Sequence, residues 1–455
     1  MKPTYAPYQF RGGVHPHDCK DATAAVPIRR IALPPRLVVS MAQHLGKPAL
    51  PVVKVGDTVT AGQCIGNADG PISAPVHAPA AGVVKAVDTA PTPSGRPAPA
   101  VTLETQPAES ADARETPVFA DPITDWRQTP VPTLLERIGA AGVAGMGGAG
   151  FPTRVKLSPP PDKPIDTLIF NGAECEPYLT SDHHLMLEQA DAVVEGACII
   201  RHLLGNPRMA IAIEDNTPDA VEAMRAALER AGETAELFIL RTHYPQGSEK
   251  QQIYAITGRN VPAGGLPMEV GVVVDNVGTA VAVRDAVRRG RPLVERVVTV
   301  TGPAIREPAN LLAPIGTPLA DLVAACGGVT ETCRKVVVGG PMMGFAQHGL
   351  DVGMTKTTSG VLALTAAAAV QFEPMPCINC GRCNAACPLR LLPSELARAI
   401  EADDLDEAAA LNVLDCFECG CCAYVCPAHR PMVQHMRRAK GSLLARRAQA
   451  MAKKH

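Results

Sequence analysis

The stretch DTLIFNGAECEPY, residues 166–178, sets a short apolar run directly against a cluster of asparagine, glycine and acids. That is the pattern of a strand ending in a polar turn. The grammar repeats downstream: a helical pattern at 187–204, MAIAIED at 209–215, a helix at 218–231, ELFILR at 236–241, and VGVVVDN at 270–276 running into TAVAVRDAVRRG. Asn216 or Thr217 before Pro218 supplies an N-cap with proline in the first turn. Strands alternating with helices predict a parallel sheet covered by helices, a Rossmann-like α/β unit.

In such sheets ligands bind in the crevice at the carboxyl ends of the strands. Three of these ends carry polar and glycine residues: NGAECEPY from Asn171, HYPQGSEKQ from His243 and DNVGTA from Asp275. Just upstream lies GVAGMGGAGFPTRVK, residues 142–156. Its glycines Gly145, Gly147, Gly148 and Gly150 let backbone N–H groups approach a phosphate, and Lys156 adds charge. Alone, such a loop reads equally well as a hinge, and it is not a GxGxxG following a strand, so an ordinary dinucleotide site is not implied. Three polar strand ends beside it make a ligand crevice the stronger reading.

Near the other end stand two cysteine runs, CINCGRCNAACP from Cys377 and CFECGCCAYVCP from Cys416. Both have C-x2-C-x2-C-x3-C-P spacing. Three cysteines at three-residue intervals wrap one face of a cubane, and the fourth, followed by proline, reaches the other cluster. Two [4Fe-4S] clusters are therefore expected. One would be held by Cys377, Cys380 and Cys383 with Cys426, the other by Cys416, Cys419 and Cys422 with Cys387. Cys421 falls outside the register. Zinc knuckles are the alternative, but they need no twice-repeated trailing proline. Such clusters pass single electrons, so another group must deliver them.

Residues 50–105 read as short strands broken by turns, and VGDTVTAGQCIG and HAPAAGVV are similar to the barrel-sandwich fold of biotinyl and lipoyl carriers. Those carriers place an acceptor lysine on a tight hairpin, where this chain has NADGPISAPVHAPAAG. Lys54 and Lys85 are expected inside flanking strands, so the module reads as a scaffold, with His77 a surface or packing residue. The expected organisation is a barrel-sandwich unit at 1–105, a linker at 106–131, the α/β unit at 132–294, a small α+β module at 295–365 and a two-cluster domain at 366–455.

A formal net charge of -2 and no base-reading motif argue against nucleic acid. The opening residues hold no apolar signal region, and most cysteines sit in metal-type runs, which favours a reducing cytosol. The longest apolar stretch, VLALTAAAAV from Val361, is half of the ~20 residues a membrane helix requires. The chain should be soluble or at most peripheral. From Arg430 onward there are eight Lys/Arg and no acid, either a solvated helix face or a docking face for an acidic partner or anionic lipid.

Taken together, GVAGMGGAGFPTRVK, NGAECEPY, YPQGSEKQ, VVDNVGTA and TGPAIREPANLLAPIGTPLADL, followed by two ferredoxin-type runs, resemble the C subunit of the Rnf (Rsx) electron-transport complex over nearly the whole chain. The α/β part resembles the flavin domain of the NADH-oxidising subunit of respiratory complex I, and 295–345 its soluble-ligand-binding β-grasp (SLBB) module. The resemblance implies non-covalent FMN at Gly145, Gly147, Gly148 and Lys156, with Asn171, Glu174, Asp275, Asn276 and Thr279 on flavin-contacting positions. It places Phe151, Glu176 and Glu249 where relatives meet the nicotinamide nucleotide. Complex I relatives carry an acid where this chain has Ala173 and an arginine where it has Met146.

The implied chemistry is hydride exchange between NADH and FMN, then single-electron steps through the clusters, with no acid, base or nucleophile from the protein. Implied partners are NAD(H), ferredoxin or flavodoxin, the membrane subunits of an Rnf-like complex and its ferredoxin-type B subunit. The implied location is peripheral, on the cytoplasmic side of a bacterial inner membrane, where NADH/ferredoxin exchange is coupled to ion translocation. A stand-alone NADH-dependent cobalamin reductase and an electron relay with an inactive nucleotide site are the alternatives.

Overall fold

The computed structural model describes residues 3–106, 117–369 and 372–452. Residues 107–116 of the expected linker, Val370 of the apolar stretch and the last three residues of the basic end lie outside the described residues.

The predicted parallel sheet is present, with five strands in the order Thr4–Tyr5, Glu236–Leu240, Arg208–Glu214, Thr167–Asn171, Val272–Asn276. Every pairing is parallel. The Thr167–Asn171 and Val272–Asn276 strands are buried at every position, as a sheet covered on both faces requires. Alternation sorts the side chains. Leu168, Phe170, Ile211 and Val273 pack under helices Ala190–Leu203, Pro218–Ala231 and Val277–Arg288. Ile169, Ala210, Ala212 and Val274 face helix Glu249–Thr257 through Ile253 and Ile256.

The helix expected at 187–204 is two helices, Ser181–Glu188 and Ala190–Leu203, broken at Gln189. The first starts early because the Glu174 carboxylate caps it, accepting from Ser181 Oγ at 2.9 Å and from the amides of Asp182 and His183 at 3.2 Å. Thr217 occupies the next N-cap position without capping; its hydroxyl donates to Glu214 O. Pro218 carries that helix start.

A second sheet of six strands runs Phe345–Gln347, Cys333–Val338, Gly360–Thr365, Glu295–Thr301, Ala309–Pro314, Ile28–Arg30, with helix Leu319–Ala324 packed on it. Two smaller sheets close the barrel-sandwich around Leu37, Val39, Ile65, Val84, Val101 and Leu103. Lys85 lies in strand Gly82–Pro91, while Lys54 lies between strands, contrary to expectation, because Asp57 closes a turn on its amide. His77 is a packing residue, 5.6 Å from the Phe119 ring, and burial lowers it to about 3. Residues 3–31 thread elsewhere: Thr4–Tyr5 joins the α/β sheet and Ile28–Arg30 the six-stranded sheet.

The cysteine runs lie among short helices braced by the long helix Met432–Ala452, which buries Met436, Ala439 and Leu443. Among the described residues no helix is long and apolar enough to cross a membrane. The basic end is largely paired within its own domain: Arg430 and His435 with Glu401, Arg437 and Lys440 with Glu418, Arg438 with Asp403, Arg446 with Asp406.

Helices Ala190–Leu203 and Val277–Arg288 approach so closely that a Cβ on Gly196 would stand 1.9 Å from Ala280 O. Gly196→Ala should therefore force the pair apart and destabilise the α/β unit by about 1–3 kcal/mol. Unfolding of the variant at the wild-type temperature would refute this contact.

Candidate functional site

The glycine-rich loop is a closed arch. Ala144 bridges Pro152, and the amides of Gly145 and Met146 donate to Phe151 O at 2.9 Å and Thr279 Oγ1 at 3.1 Å. Among the described residues the amides of Gly147 and Gly148 have no protein partner. A Cβ on Gly147 would lie 2.9 Å from Asn276 Cβ, whereas one on Gly148 would meet open space. The loop thus rests on the end of strand Val272–Asn276, with one face free.

Below it sits Lys156. Its ammonium donates to Val274 O and pairs with Glu249 at 3.3 Å and Asp275 at 3.6 Å. Burial pulls this lysine down, and the two carboxylates more than offset that, holding it above its ordinary value. Burial raises the Asp275 carboxyl against the pull of Lys156, and its Oδ2 is buried without a partner. Asn276 caps helix Val277–Arg288, accepting from Gly278 N at 2.8 Å, and donates to Asp182 Oδ2 at 2.6 Å. Asn171 donates to Gly247 O at 2.8 Å and accepts from Gln252 Nε2 at 2.6 Å; Gln252 Oε1 is a second buried acceptor without a partner.

Gly145, Gly147, Gly148, Lys156, Asn171, Glu249, Asp275 and Asn276 therefore gather at one edge. Three expected residues are engaged otherwise. Thr279 is buried and holds the loop backbone. Glu174 caps a helix. Glu176 accepts from the amides of Met342 and Met343 at 2.7 and 3.1 Å, joining the α/β unit to the six-stranded sheet. Phe151 is half-buried and contributes its carbonyl to the arch.

Sequence reading missed Lys20, which reaches in from the N-terminal strap to donate to Glu174 O. It also missed Asp182 and Glu214, both raised to about 7, each chiefly by burial. An acid closing the apolar run MAIAIED was the available signal for Glu214. A cavity of about 480 Å³ shares Met146, Asp182 and Gly278 with this region, but Lys156, Asp275 and Glu249 do not line it. Its Arg30 and Arg289 are paired with Glu295 and Asp285.

The cysteine runs adopt matching loops. Asn379 N contacts Cys377 Sγ at 3.4 Å and Glu418 N contacts Cys416 Sγ at 3.4 Å, and Gly381 and Gly420 start helices Arg382–Ala386 and Cys421–Tyr424 at positive φ. Cys387, Cys416, Cys419 and Cys422 line one cavity of about 20 Å³, with Cys421 also at its wall. Cys383 packs with Cys426 and Cys422. Cys421 is fully buried and packs with Val14 and Tyr244. Among the described residues no three His, Cys, Asp or Glu side chains converge on one ion. A cubane does not need that, since it spreads four thiolates around a larger body.

The two sites adjoin. Tyr244, just after strand Glu236–Leu240, donates its hydroxyl to Cys419 O at 2.8 Å, and Gln251 Nε2 donates to Pro388 O at 3.2 Å.

Because the folded chain holds Glu214 near 7, it binds more protons than the unfolded chain between the ordinary glutamate value and about 7. Stability then falls as pH rises through that window. Glu214→Gln should gain on the order of 1–3 kcal/mol at about pH 8 and much less at about pH 5. Equal shifts in thermal unfolding at both pH values would refute it.

Residues 8–108 match the RnfC barrel sandwich hybrid domain, 138–285 the Nuo51 FMN-binding domain, 297–346 the SLBB domain and 369–427 a 4Fe-4S dicluster domain. The C subunit of the proton-translocating ferredoxin:NAD(+) oxidoreductase complex of Clostridium ljungdahlii is 45% identical over 430 residues, 94% of this chain and 92% of that protein. Its counterpart in the Na(+)-translocating ferredoxin:NAD(+) oxidoreductase complex of Acetobacterium woodii is 42% identical over 438 residues, 96% and 98% of the two chains. Among solved structures, an air-oxidized NAD+-reducing [NiFe]-hydrogenase matches 66% of this chain and 61% of its own at 21% identity, with a TM-score of 0.48. At this identity and coverage to its curated relatives, the chain belongs to the family of C subunits of ion-translocating ferredoxin:NAD(+) oxidoreductase complexes.

Proposed function

We propose that this chain exchanges electrons between NADH and ferredoxin as the C subunit of a membrane-bound, ion-translocating complex, using FMN and two [4Fe-4S] clusters. The observation that carries the reading is the adjacency of two sites: the arch beside Lys156 and Asp275, and the cysteine loops joined to the same strand ends through Tyr244 and Gln251. The residues present fit FMN. A cradle that a Cβ on Gly147 would fill, two amides without partners, and buried acceptors at Asp275 and Gln252 suit a ligand with a phosphate and several hydroxyl or N–H donors. A flavin held there would supply the conversion of a two-electron hydride exchange into single-electron steps, and clusters in the cysteine loops would supply the one-electron carriers.

The chain's own contribution is placement. Gly147 and Gly148 would offer their amides, Lys156 and Asn276 would orient the ligand, and Phe151 and Glu249 border the space left for the nicotinamide nucleotide. Cys377, Cys380, Cys383 and Cys426 would hold one cluster, and Cys416, Cys419, Cys422 and Cys387 the other, with Cys421 as packing. Association with the complex is peripheral, and we place it on the cytoplasmic side of a bacterial inner membrane with ferredoxin or flavodoxin as the exchange partner. Most of the basic groups of the final helix are paired within its own domain, which supports docking through the other chains of the complex.

A second reading, a relay with an inactive nucleotide site, draws on Glu176, whose carboxylate is engaged by Met342 and Met343. Anaerobic NADH titration separates them: bleaching of the clusters supports exchange, and a spectrum unmoved by NADH but bleached by reduced ferredoxin supports the relay.

Gly147→Leu is expected to abolish flavin retention with iron content unchanged; full flavin stoichiometry in that protein would place the site elsewhere. Cys421→Ser should keep about eight irons per chain, while Cys419→Ser should lose the second cluster and spare the first, read by iron analysis and electron spin resonance. The reverse pattern would make Cys421 the ligand.

A further inference from the structure

Lys356 is a buried cation that neither site uses. It sits in the Thr355–Thr358 turn, 1% exposed, with no carboxylate within ion-pair distance among the described residues. Its Nζ donates to Gly142 O at 2.6 Å and to Pro75 O at 3.3 Å. Its amide donates to Gln43 Oε1 at 2.8 Å, and its carbonyl accepts from Arg296 Nη1 at 2.6 Å. One side chain thus ties the barrel-sandwich module, which supplies Pro75, to the first residue of the glycine-rich loop, and its own turn to both.

The far end of the loop is held by the same two modules. Leu45 N donates to Gly150 O at 3.0 Å, and a Cβ on Gly150 would stand 2.7 Å from Thr357 Cγ2. Gly142 and Gly150 both lie at positive φ, +65° and +69°, and a Cβ on Gly142 would stand 2.3 Å from Pro75 O. Glycine is required at both ends because the backbone must turn left-handed while another module presses on it. Pro75 closes the loop between strands Cys64–Asn67 and Val76–His77, the region compared above with the hairpin on which biotinyl and lipoyl carriers mount their lysine. In this chain the hairpin has no lysine, and its Pro75 carbonyl receives one from outside.

We propose that Lys356 and the barrel-sandwich module clamp both ends of the Gly142–Gly150 loop, so that Lys356 is a positioning residue for the flavin. This rests on the reading that the loop holds FMN. The physical need is entropic. A loop with this many glycines loses much freedom when it closes on a ligand, and a loop already fixed at both ends loses that freedom on folding instead, so binding is tighter. The buried ammonium suits a clamp: its donors go to carbonyls, and burial lowers it to about 7, with Cys64 raising it. His44 and His77 pack nearby, both lowered chiefly by burial.

The test uses the full chain, stripped of flavin and titrated with FMN, with iron content as the folding control. Lys356→Met keeps the stem and removes the donor; it should raise the FMN Kd about tenfold. It should also alter the visible circular dichroism of bound FMN and speed amide exchange in 142–150. Leu45→Pro removes the amide given to Gly150 at an exposed position and should act in the same direction, so it decides the matter if Lys356→Met loses iron. If Gly147→Leu abolishes binding while Lys356→Met and Leu45→Pro bind FMN at wild-type affinity with unchanged loop exchange, the clamp is overturned and the site stands. If Gly147→Leu itself retains FMN, the site reading fails, and the clamp with it.

Discussion

Charge burial at the carboxyl edge of the parallel sheet governs how the modules of this chain come together. Glu174, Glu176, Asp182, Glu214, Glu249 and Asp275 share that edge with the cations Lys20, Lys156 and Arg296. A lone buried carboxylate is too costly to keep, so each must find a partner or a proton. Glu249 and Asp275 share Lys156, Glu174 caps a helix, and Glu176 recruits two amides of the six-stranded unit. Asp182 and Glu214 shift toward the protonated form. Satisfying the edge therefore pulls other modules onto it: the N-terminal strap arrives with Lys20, and the 340–344 turn packs so tightly on Glu176 that a Cβ on Gly340 would stand 2.0 Å from its Cγ.

The same economy explains why the modules are threaded rather than strung. The strap adds a strand to one sheet and another to a second, and between them Gly13 N donates to Ala386 O, one residue before Cys387. Val14 also bridges Tyr244, whose hydroxyl reaches the other cysteine loop at Cys419. A strap that bonds to the sheet edge and to the cysteine domain fixes their relative placement, and electron exchange between sites depends on fixed distance more than on any side-chain chemistry. Relay proteins built from freely linked domains lack that constraint.

What could be read from the sequence follows what is local. Strand and helix periods around 166–288 were legible because a doubly covered parallel sheet writes its burial into continuous apolar runs. The cysteine register was legible because cubane ligation sets spacing within twelve residues. Three things were not. The early start of helix Ser181–Glu188 depends on Glu174, a capping group seven residues before it. The engagement of Glu176 depends on amides more than 160 positions away. The strap carries two short strands, Thr4–Tyr5 and Ile28–Arg30, whose partners lie hundreds of residues downstream, so no periodicity announces them. The pairing of the basic end is non-local in the same way: the run itself holds no acid, and folding brings Glu401, Asp403, Asp406 and Glu418 beside it.

The two cysteine runs carry a final consequence of that non-locality. Their spacing and their first backbone contacts are the same, so the sequence presents them as equals. Their surroundings are not. Cys377 and Cys380 are exposed and neighbour the exposed Phe372, Met375 and Ile378, whereas Cys419 is buried against Tyr244. The long helix packs Met432 against Cys383 of the first loop, while it gives the second loop polar contacts: Lys440 Nζ donates to Cys416 O at 2.8 Å and shares Glu418 with Arg437. Burial, nearby charge and hydrogen bonding set the reduction potential of a cluster far more than ligand spacing does. Two motifs of equal spacing thus sit in unequal environments, a difference that folding creates and that the cysteine spacing does not record.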